Sequence, residues 1–532
     1  MVATPERTFF SLKEEETEMG APVLERPVRE LPDYAENILV YHMQLERLLA
    51  RLKKAKYIVY DLETTDLSFL KAEICGIGIG IIDDDITKLE YAAYIPTMYH
   101  LDQEKVVGTT GYLNRKMVVE ALKEFFLDFD KMIIAHNLKY DADIFLNVGI
   151  DLRPKLCVPK WVAPETKEAM AKHIEELPKR ASCADTQVMA WLVKEERQRF
   201  GLKYVAKEDL GMDMNKLDKI LGKKLRFHEA SATLTLPYAL MDIVATAKLF
   251  IKYYPLLQKQ KLIDVLFGVE MPFVGVLQGI ERRGMPVNQE VLEAIGARCL
   301  KEMDILEKQI FALAGHEFSI GSGPQLAEVL HAEKKLPIIA KTDKGAVKVD
   351  AATLKELLKM GREAAEERTL ADLTMEGLEL IELILKYRKL KKTESTYVKG
   401  IIKAIDIDGR VHGSFHQTGT VTGRLSSSGP NLQNLPSGAI FKDFITIEEY
   451  DKVVDPLREE HKDDPNALEV AIQKAFMFTV VPVRYNEKDK EFEPCDEGTP
   501  EHTGYEIQWK IRDAFQELQR NWWMTVGDLT NN

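Results

Sequence analysis

Cysteine is scarce in this sequence of 532 residues, occurring only at Cys75, Cys157, Cys183, Cys299 and Cys495. An odd number so widely spaced gives neither a disulfide framework nor a CxxC zinc pattern, and it points to a reducing cytoplasm. No 18 apolar residues run uninterrupted, which argues against a membrane span. The N-terminus lacks the apolar stretch of a secretory signal, and Glu14, Glu15, Glu16 and Glu18 stand where it would lie. Internal repeats and low-complexity tracts are absent. Positive charge is in deficit: 72 Lys and Arg against 85 Asp and Glu leave −13, which weighs against a histone-like phosphate binder. An enzyme acting on nucleic acid remains open, because local patches bind and the average does not.

What is present is apolar mass and segregated charge. Hydrophobic residues make up 45% and charged residues 30%, the profile of a soluble globular protein, and the length suits about three domains. Residues 1–36 are polar and acidic and read as an extension. Residues 37–262 carry an α/β pattern, with strands at Tyr57–Glu63, Ile74–Ile82, Tyr91–Ile95 and Lys131–Ala135 and helices at Met117–Phe126 and Leu138–Asn147. From 263 to 405 the periodicity is almost wholly helical, with Gly284, Pro286 and Gly315 as stops. Between Lys386 and Lys403 stand seven basic residues and one acid, Glu394. The segment 437–510 holds 18 acids and nine bases, a net of −9, and reads as an insertion between 406–436 and 511–532.

Candidate chemistry begins with Asp61 and Glu63, two apart at the end of an apolar strand. Period-two geometry points both carboxylates to one face, an arrangement that favours a bound cation. Alone, the pair reads more readily as a strand running out into a polar turn. The stretch His136-Asn137-Leu138-Lys139-Tyr140-Asp141 follows a short strand; Asn137 suits a helix N-cap, with Asp141 one turn in. Asp143, two further on, reads as a solvated neighbour. Tyr238 and Asp242 are four apart on a helix that Pro237 would start, and so face the same way.

Together, DLETT, NLKYD and YALMD resemble the three motifs of the DnaQ-like 3′–5′ exonucleases, in the tyrosine-bearing form found in the proofreading domain of DNA polymerase I-type (family A) enzymes. The resemblance implies an α/β RNase H-like domain, a mixed sheet flanked by helices, working with two Mg²⁺ or Mn²⁺ ions. Asp61, Glu63 and Asp242 would hold the first ion, and Asp61 and Asp141 the second. Tyr238 would orient the attacking water. Thr64 and Asn137 would contact the terminal nucleotide or support the site, and Asp185-Thr186 is a supporting position.

The second half extends the likeness. Glu270-Met271-Pro272 with Ile280-Glu281-Arg282-Arg283-Gly284 is similar to the start of the polymerase region. The basic run through Ser395-Thr396-Tyr397 resembles the helical thumb, where Arg388 and Lys392 would meet DNA. Thr422-Gly423-Arg424-Leu425-Ser426-Ser427 and Pro430-Asn431-Leu432-Gln433-Asn434-Leu435-Pro436 form a small, polar loop that can approach a duplex closely. By resemblance Arg424 would touch the primer terminus, and Asn431, Gln433 and Asn434 the adjacent template–primer. Ile511-Arg512-Asp513-Ala514-Phe515 leads toward Asp528, which fits the first palm aspartate, a metal ligand of the polymerase site. An incomplete α+β palm implies either a truncated fragment or, the favoured reading, a split, phage-type polymerase in a host cytoplasm whose second polypeptide carries the remaining palm and fingers. The expected partners are a primer–template and a single-stranded 3′ end. The competing readings are a stand-alone exonuclease on DNA or RNA and a non-catalytic DNA-clamping subunit.

Overall fold

The computed structural model describes residues 42–514 apart from 98–112, 159–179, 215–218, 220, 223–225, 231, 368–374, 437, 477–478, 487–490 and 498. Asp528 lies outside the described residues. The chain packs as two units, one from 42–65, 73–136 and 206–252, the other from 66–72, 137–205 and 253–514.

The first unit is built on a mixed sheet. Strands β1 (Tyr57–Thr64), β2 (Ile74–Ile82) and β3 (Leu89–Pro96) pair antiparallel, and β4 (Met132–Ala135) runs parallel to β1 on its other side. The sequence of β2, ICGIGIGII, is buried at all nine positions. Its alternation sends Ile77, Ile79 and Ile81 to one face and Gly76, Gly78 and Gly80 to the other. The glycines make room. A Cβ on Gly78 would lie 2.7 Å from Ile243 Cγ1, and one on Gly80 would lie 2.8 Å from Ile243 Cγ2. The helix Ala232–Lys259 therefore approaches this face more closely than side chains on β2 would allow.

Pro237 sits inside that helix and not at its start, because the helix begins five residues earlier; the cost is one intrahelical hydrogen bond. By length and composition two helical stretches could cross a membrane, Leu234–Lys259 and Ile263–Arg283. In the first, the apolar positions Ala239, Leu240, Ile243, Val244, Ala247 and Phe250 are buried inside the protein.

The second unit contains the helix Leu138–Asn147, the strand Cys183–Asp185 with the helix Thr186–Val193 directly behind it, and the helix Met271–Arg283. A long helix, Gln289–Ala314, stops at Gly315 with φ 89° and packs along Met375–Lys392. Their core includes Ile310, Leu330, Leu357, Leu380, Ile381 and Ile384. Two short strands follow, Arg410–Val411 and Ser414–His416.

The acidic segment folds into a structure of its own. Its four antiparallel strands lie in the order Phe441–Thr446, Gly504–Trp509, Thr479–Asn486, Glu491–Pro494, with the helices Ile447–Glu460 and Pro465–Phe476. Tyr450 and Tyr505 stack at 3.7 Å in a small core with Val454. Arg298 on the helix Gln289–Ala314 roots it, with two bonds to Asp443 (2.6 and 3.0 Å) and a guanidinium over Phe441 and Trp509.

The glycine face yields a stability prediction. Gly78→Ala should cost about 1–3 kcal/mol, the usual range for overpacking. In an Ile243→Ala background most of that added cost should vanish, as read from denaturant midpoints in a double-mutant cycle.

Candidate active site

Three of the expected residues converge. Ligand oxygens of Asp61, Glu63 and Asp242 all lie within 4.8 Å of one another. Asp61 and Glu63 extend from β1, opposite Gly78 and Gly76 of β2, and a register shift follows between Glu63 and Thr64. Glu63 and Asp242 are buried; Asp61 and Thr64 are half-buried. Asp242 owes its place to Ile243 beside it, the residue seated on the β2 glycines.

Tyr238 lies one turn before Asp242, and its hydroxyl donates to the Asp242 carboxylate. The ring of Phe227 meets it edge-on at 5.9 Å. Burial, reinforced by Asp242, Glu63 and Asp61, drives the Tyr238 phenol well above its ordinary pKa, so it stays protonated. Two further neighbours escaped the sequence reading. Burial and the Glu63 charge push the Cys75 thiol up to about 12, and the Tyr94 phenol is raised for the same reasons. Tyr94 hydrogen-bonds Thr235 on the helix that carries Asp242, and a Cβ on Gly76 would collide with the Tyr94 hydroxyl. The signal in sequence was the bare Gly76 opposite Glu63.

The donor set fits a hard divalent cation. Three carboxylates this close repel one another, and oxygen-only ligands suit Mg²⁺ or Mn²⁺.

The fourth carboxylate, Asp141, is buried on the first turn of the helix Leu138–Asn147, in the second unit, and is not one of this group of three. Asn137 departs from expectation. It stands at the N-cap position, but its backbone is left-handed (φ 64°) and its side chain makes no cap bond. Asp185 caps instead, accepting the amides of Asn137 and Leu138 at 2.9 Å each while capping its own helix through Gln187 at 2.8 Å. This is the supporting role expected of Asp185. Asp143 also differs, being buried and not solvated. Gln278 Nε2 donates to it at 3.2 Å, Arg282 lies 3.5 Å away, and burial pushes its carboxyl up to about 7.

The candidate DNA-facing residues divide. Arg424 is exposed beside Gly423, whose φ of 72° turns the loop, and Asn434 is exposed too. Asn431 accepts from Ser427 Oγ (3.0 Å) and the Gln433 amide (3.1 Å), while Gln433 Nε2 donates to the Leu425 carbonyl at 3.2 Å. These two side chains brace the loop and are themselves exposed. Lys392 and Lys403, with Tyr397, Asn431 and Asn434, line a cleft of about 640 Å³. Arg388 is half-buried and donates to the Val349 carbonyl, so it braces the helices.

Known proteins bear on both halves. Residues 39–258 match the 3′–5′ exonuclease family, and residues 289–453 match DNA polymerase family A. DNA polymerase I of Pseudomonas aeruginosa is 29% identical over 417 residues, which cover 77% of this chain and 40% of that protein. DNA polymerase I of Treponema pallidum is 34% identical over 252 residues, covering 47% of this chain and 24% of that protein. The chain thus spans well under half the length of these relatives. Among solved structures, the POL domain of Pol1 from M. smegmatis, in complex with DNA primer-template and dNTP, has the same fold at 19% identity. Its TM-score is 0.53, and the match covers 82% of this chain and 64% of that one. Nothing in these likenesses supports the second polypeptide expected from the sequence. With the exonuclease match followed in order by the polymerase match, the chain is a member of the family A DNA polymerases that carry a 3′–5′ exonuclease domain.

Proposed function

We propose that this chain removes nucleotides from DNA 3′ ends by metal-dependent hydrolysis, as the proofreading part of a DNA polymerase I-type enzyme. The observation that carries the reading is the convergence of Asp61, Glu63 and Asp242 with the Tyr238 hydroxyl bonded to Asp242. Two divalent ions bound there would supply the positive charge that activates water and steadies the departing 3′ oxygen. Asp61, Glu63 and Asp242 would hold one ion; Asp141, assigned by its motif, would share the second with Asp61. The Tyr238 hydroxyl donates its hydrogen bond to Asp242, which leaves its oxygen lone pairs to accept a hydrogen bond from the attacking water and so orient it. Thr64 and Asn137 would support the terminal nucleotide.

The polymerase half would hold primer–template DNA. Arg424, Asn434, Lys392, Asn431 and Gln433 are exposed and would meet it, Asn431 and Gln433 also bracing the loop, while half-buried Arg388 would contribute from beside the Val349 carbonyl. We assign 37–262 to an RNase H-like exonuclease domain, 263–405 to a thumb, 406–436 with 511–532 to the palm, and 437–510 to an inserted subdomain. Asp528 would be one metal ligand of the palm in nucleotide addition. The stand-alone exonuclease and the non-catalytic clamp have no observation in their favour, and the polymerase match over 289–453 weighs against the first. All five cysteines are free, which accords with a reducing cytoplasm.

The purified chain should shorten single-stranded DNA from its 3′ end with Mg²⁺ or Mn²⁺, and chelator should stop it. Asp61→Ala with Glu63→Ala should remove this activity, as followed on end-labelled DNA; wild-type turnover in the double variant would overturn the site assignment. Tyr238→Phe should lower kcat by about 10²-fold, the low end for a proton-handling group, with DNA binding little changed. Without divalent ions, Asp242→Asn relieves like-charge repulsion and should raise stability by roughly 0.5–2 kcal/mol. Adding Mg²⁺ should then raise the Tm of the wild type more than that of Asp242→Asn. An equal rise in both would show that Asp242 is not a ligand.

A further inference from the structure

Three elements of the second unit meet at one buried ion pair. Lys139 precedes Asp141 by two residues on the helix Leu138–Asn147. Its ammonium donates to Glu281 Oε1 at 2.6 Å and also to the Phe415 carbonyl oxygen. Glu281, near the end of the helix Met271–Arg283, accepts the Phe415 amide with the same oxygen. The two side chains are only 14% and 9% exposed. Phe415 lies on the strand Ser414–His416, which pairs with Ser426–Ser428, the strand that leaves the Arg424 loop.

Stability does not account for this pair. Burying two charges costs several kcal/mol each in desolvation, and apolar residues of similar volume are often as stabilising. What the pair provides is geometry. One carboxylate takes a cation from a helix and an amide from a strand, and the cation returns to the carbonyl of the same strand residue. That closed set of bonds fixes the helix rotation and the strand register together. One position along, Arg282 repeats the link to the helix, donating to the Asp143 carbonyl at 3.1 Å and to Asn147 Oδ1 at 2.7 Å.

We propose that Lys139 and Glu281 are positioning residues that join the exonuclease helix carrying Asp141 to the strand of the primer loop, so that DNA seated at the loop steadies that helix. The proposal rests on the functional reading above and adds to it a coupling within the second unit. Such coupling is reciprocal for binding, so what holds the helix also favours the DNA-bound loop. Neither residue touches the reacting atoms; each acts through the backbone it holds.

Hydrogen exchange of the full chain tests it, with and without a primer–template DNA. The samples are wild type, Glu281→Gln and the pair Lys139→Met with Glu281→Leu. Exonuclease rates on single-stranded DNA in Mg²⁺ are read on the same preparations. In wild type, DNA should slow exchange both at 414–416 and at 138–147. In Glu281→Gln the slowing at 414–416 should remain while that at 138–147 is lost. The kcat should fall about tenfold or more, as for small misplacements of catalytic groups, with KM changed less than about twofold. The double variant leaves no unpaired buried charge and should melt no lower than Glu281→Gln, yet remain uncoupled. Slowing at 138–147 that survives in Glu281→Gln, or that is missing in wild type while 414–416 responds, would overturn the proposal. If wild type lacked exonuclease activity, the functional reading would fail, and the exchange pattern would still decide the coupling.

Discussion

Ile243 rests on β2 where Gly78 and Gly80 have no side chains, and the carboxylate group depends on that contact. A β-branched side chain on that face would push the helix Ala232–Lys259 outward, and Asp242 would move with it. Only the close approach brings an oxygen of Asp242 within 4.8 Å of oxygens on Asp61 and Glu63. The protein thus gives up side-chain packing on one face of β2, a loss glycine always brings to a strand, to hold three like charges together. The burial that makes the group costly also makes it selective for a cation. Water is displaced, repulsion is weakly screened, and a small divalent ion is the natural neutraliser.

The surroundings suit this charge. Tyr238, Tyr94 and Cys75 all keep their protons, because burial and the nearby carboxylates both disfavour further negative charge. Their contributions are hydrogen-bond donors and shape. Tyr238 ties to Asp242 and Tyr94 to Thr235, both on the same helix, so hydroxyls reinforce the placement that Ile243 begins. In the second unit, Asp185 does comparable work for the helix of Asp141. Its single carboxylate serves three backbone amides and starts two helices, and those bonds offset part of what its burial costs.

How much of this was legible in sequence follows from the range of each interaction. β2 was read to the residue and β1 to within one, because alternation and continuous apolar runs are local signals. The helix Leu138–Asn147 was also read to its ends, yet its cap was assigned to the wrong side chain. Asn137 is a good capping residue by type, but Asp185, remote in sequence, supplies a charged acceptor, and Asn137 turns left-handed. Asp143 was read as solvated because nothing nearby announced Gln278 and Arg282. Asp61, Glu63, Tyr238 and Asp242 were legible as motifs, whereas Tyr94 and Cys75 acquire meaning only once β1, β2 and β3 are paired. For Arg388 composition misled: a cation in a basic run is counted as surface, and this one is held by the Val349 carbonyl.

Charge distribution in the second unit follows the same logic at longer range. The segment 437–510 carries −9, while Lys386 to Lys403 carries seven cations and one acid. The acidic sheet is rooted through Arg298 on the helix Gln289–Ala314, and that helix also packs along Met375–Lys392. At physiological ionic strength, exposed charges act over only about 8 Å. Local charge and not the average of the chain therefore decides where phosphates are attracted: Lys392 and Lys403 favour them at the cleft, and the acidic sheet repels those that come directly to its own surface. A negative average over the whole chain is thereby compatible with attraction of a polyanion at the cleft that Lys392 and Lys403 line.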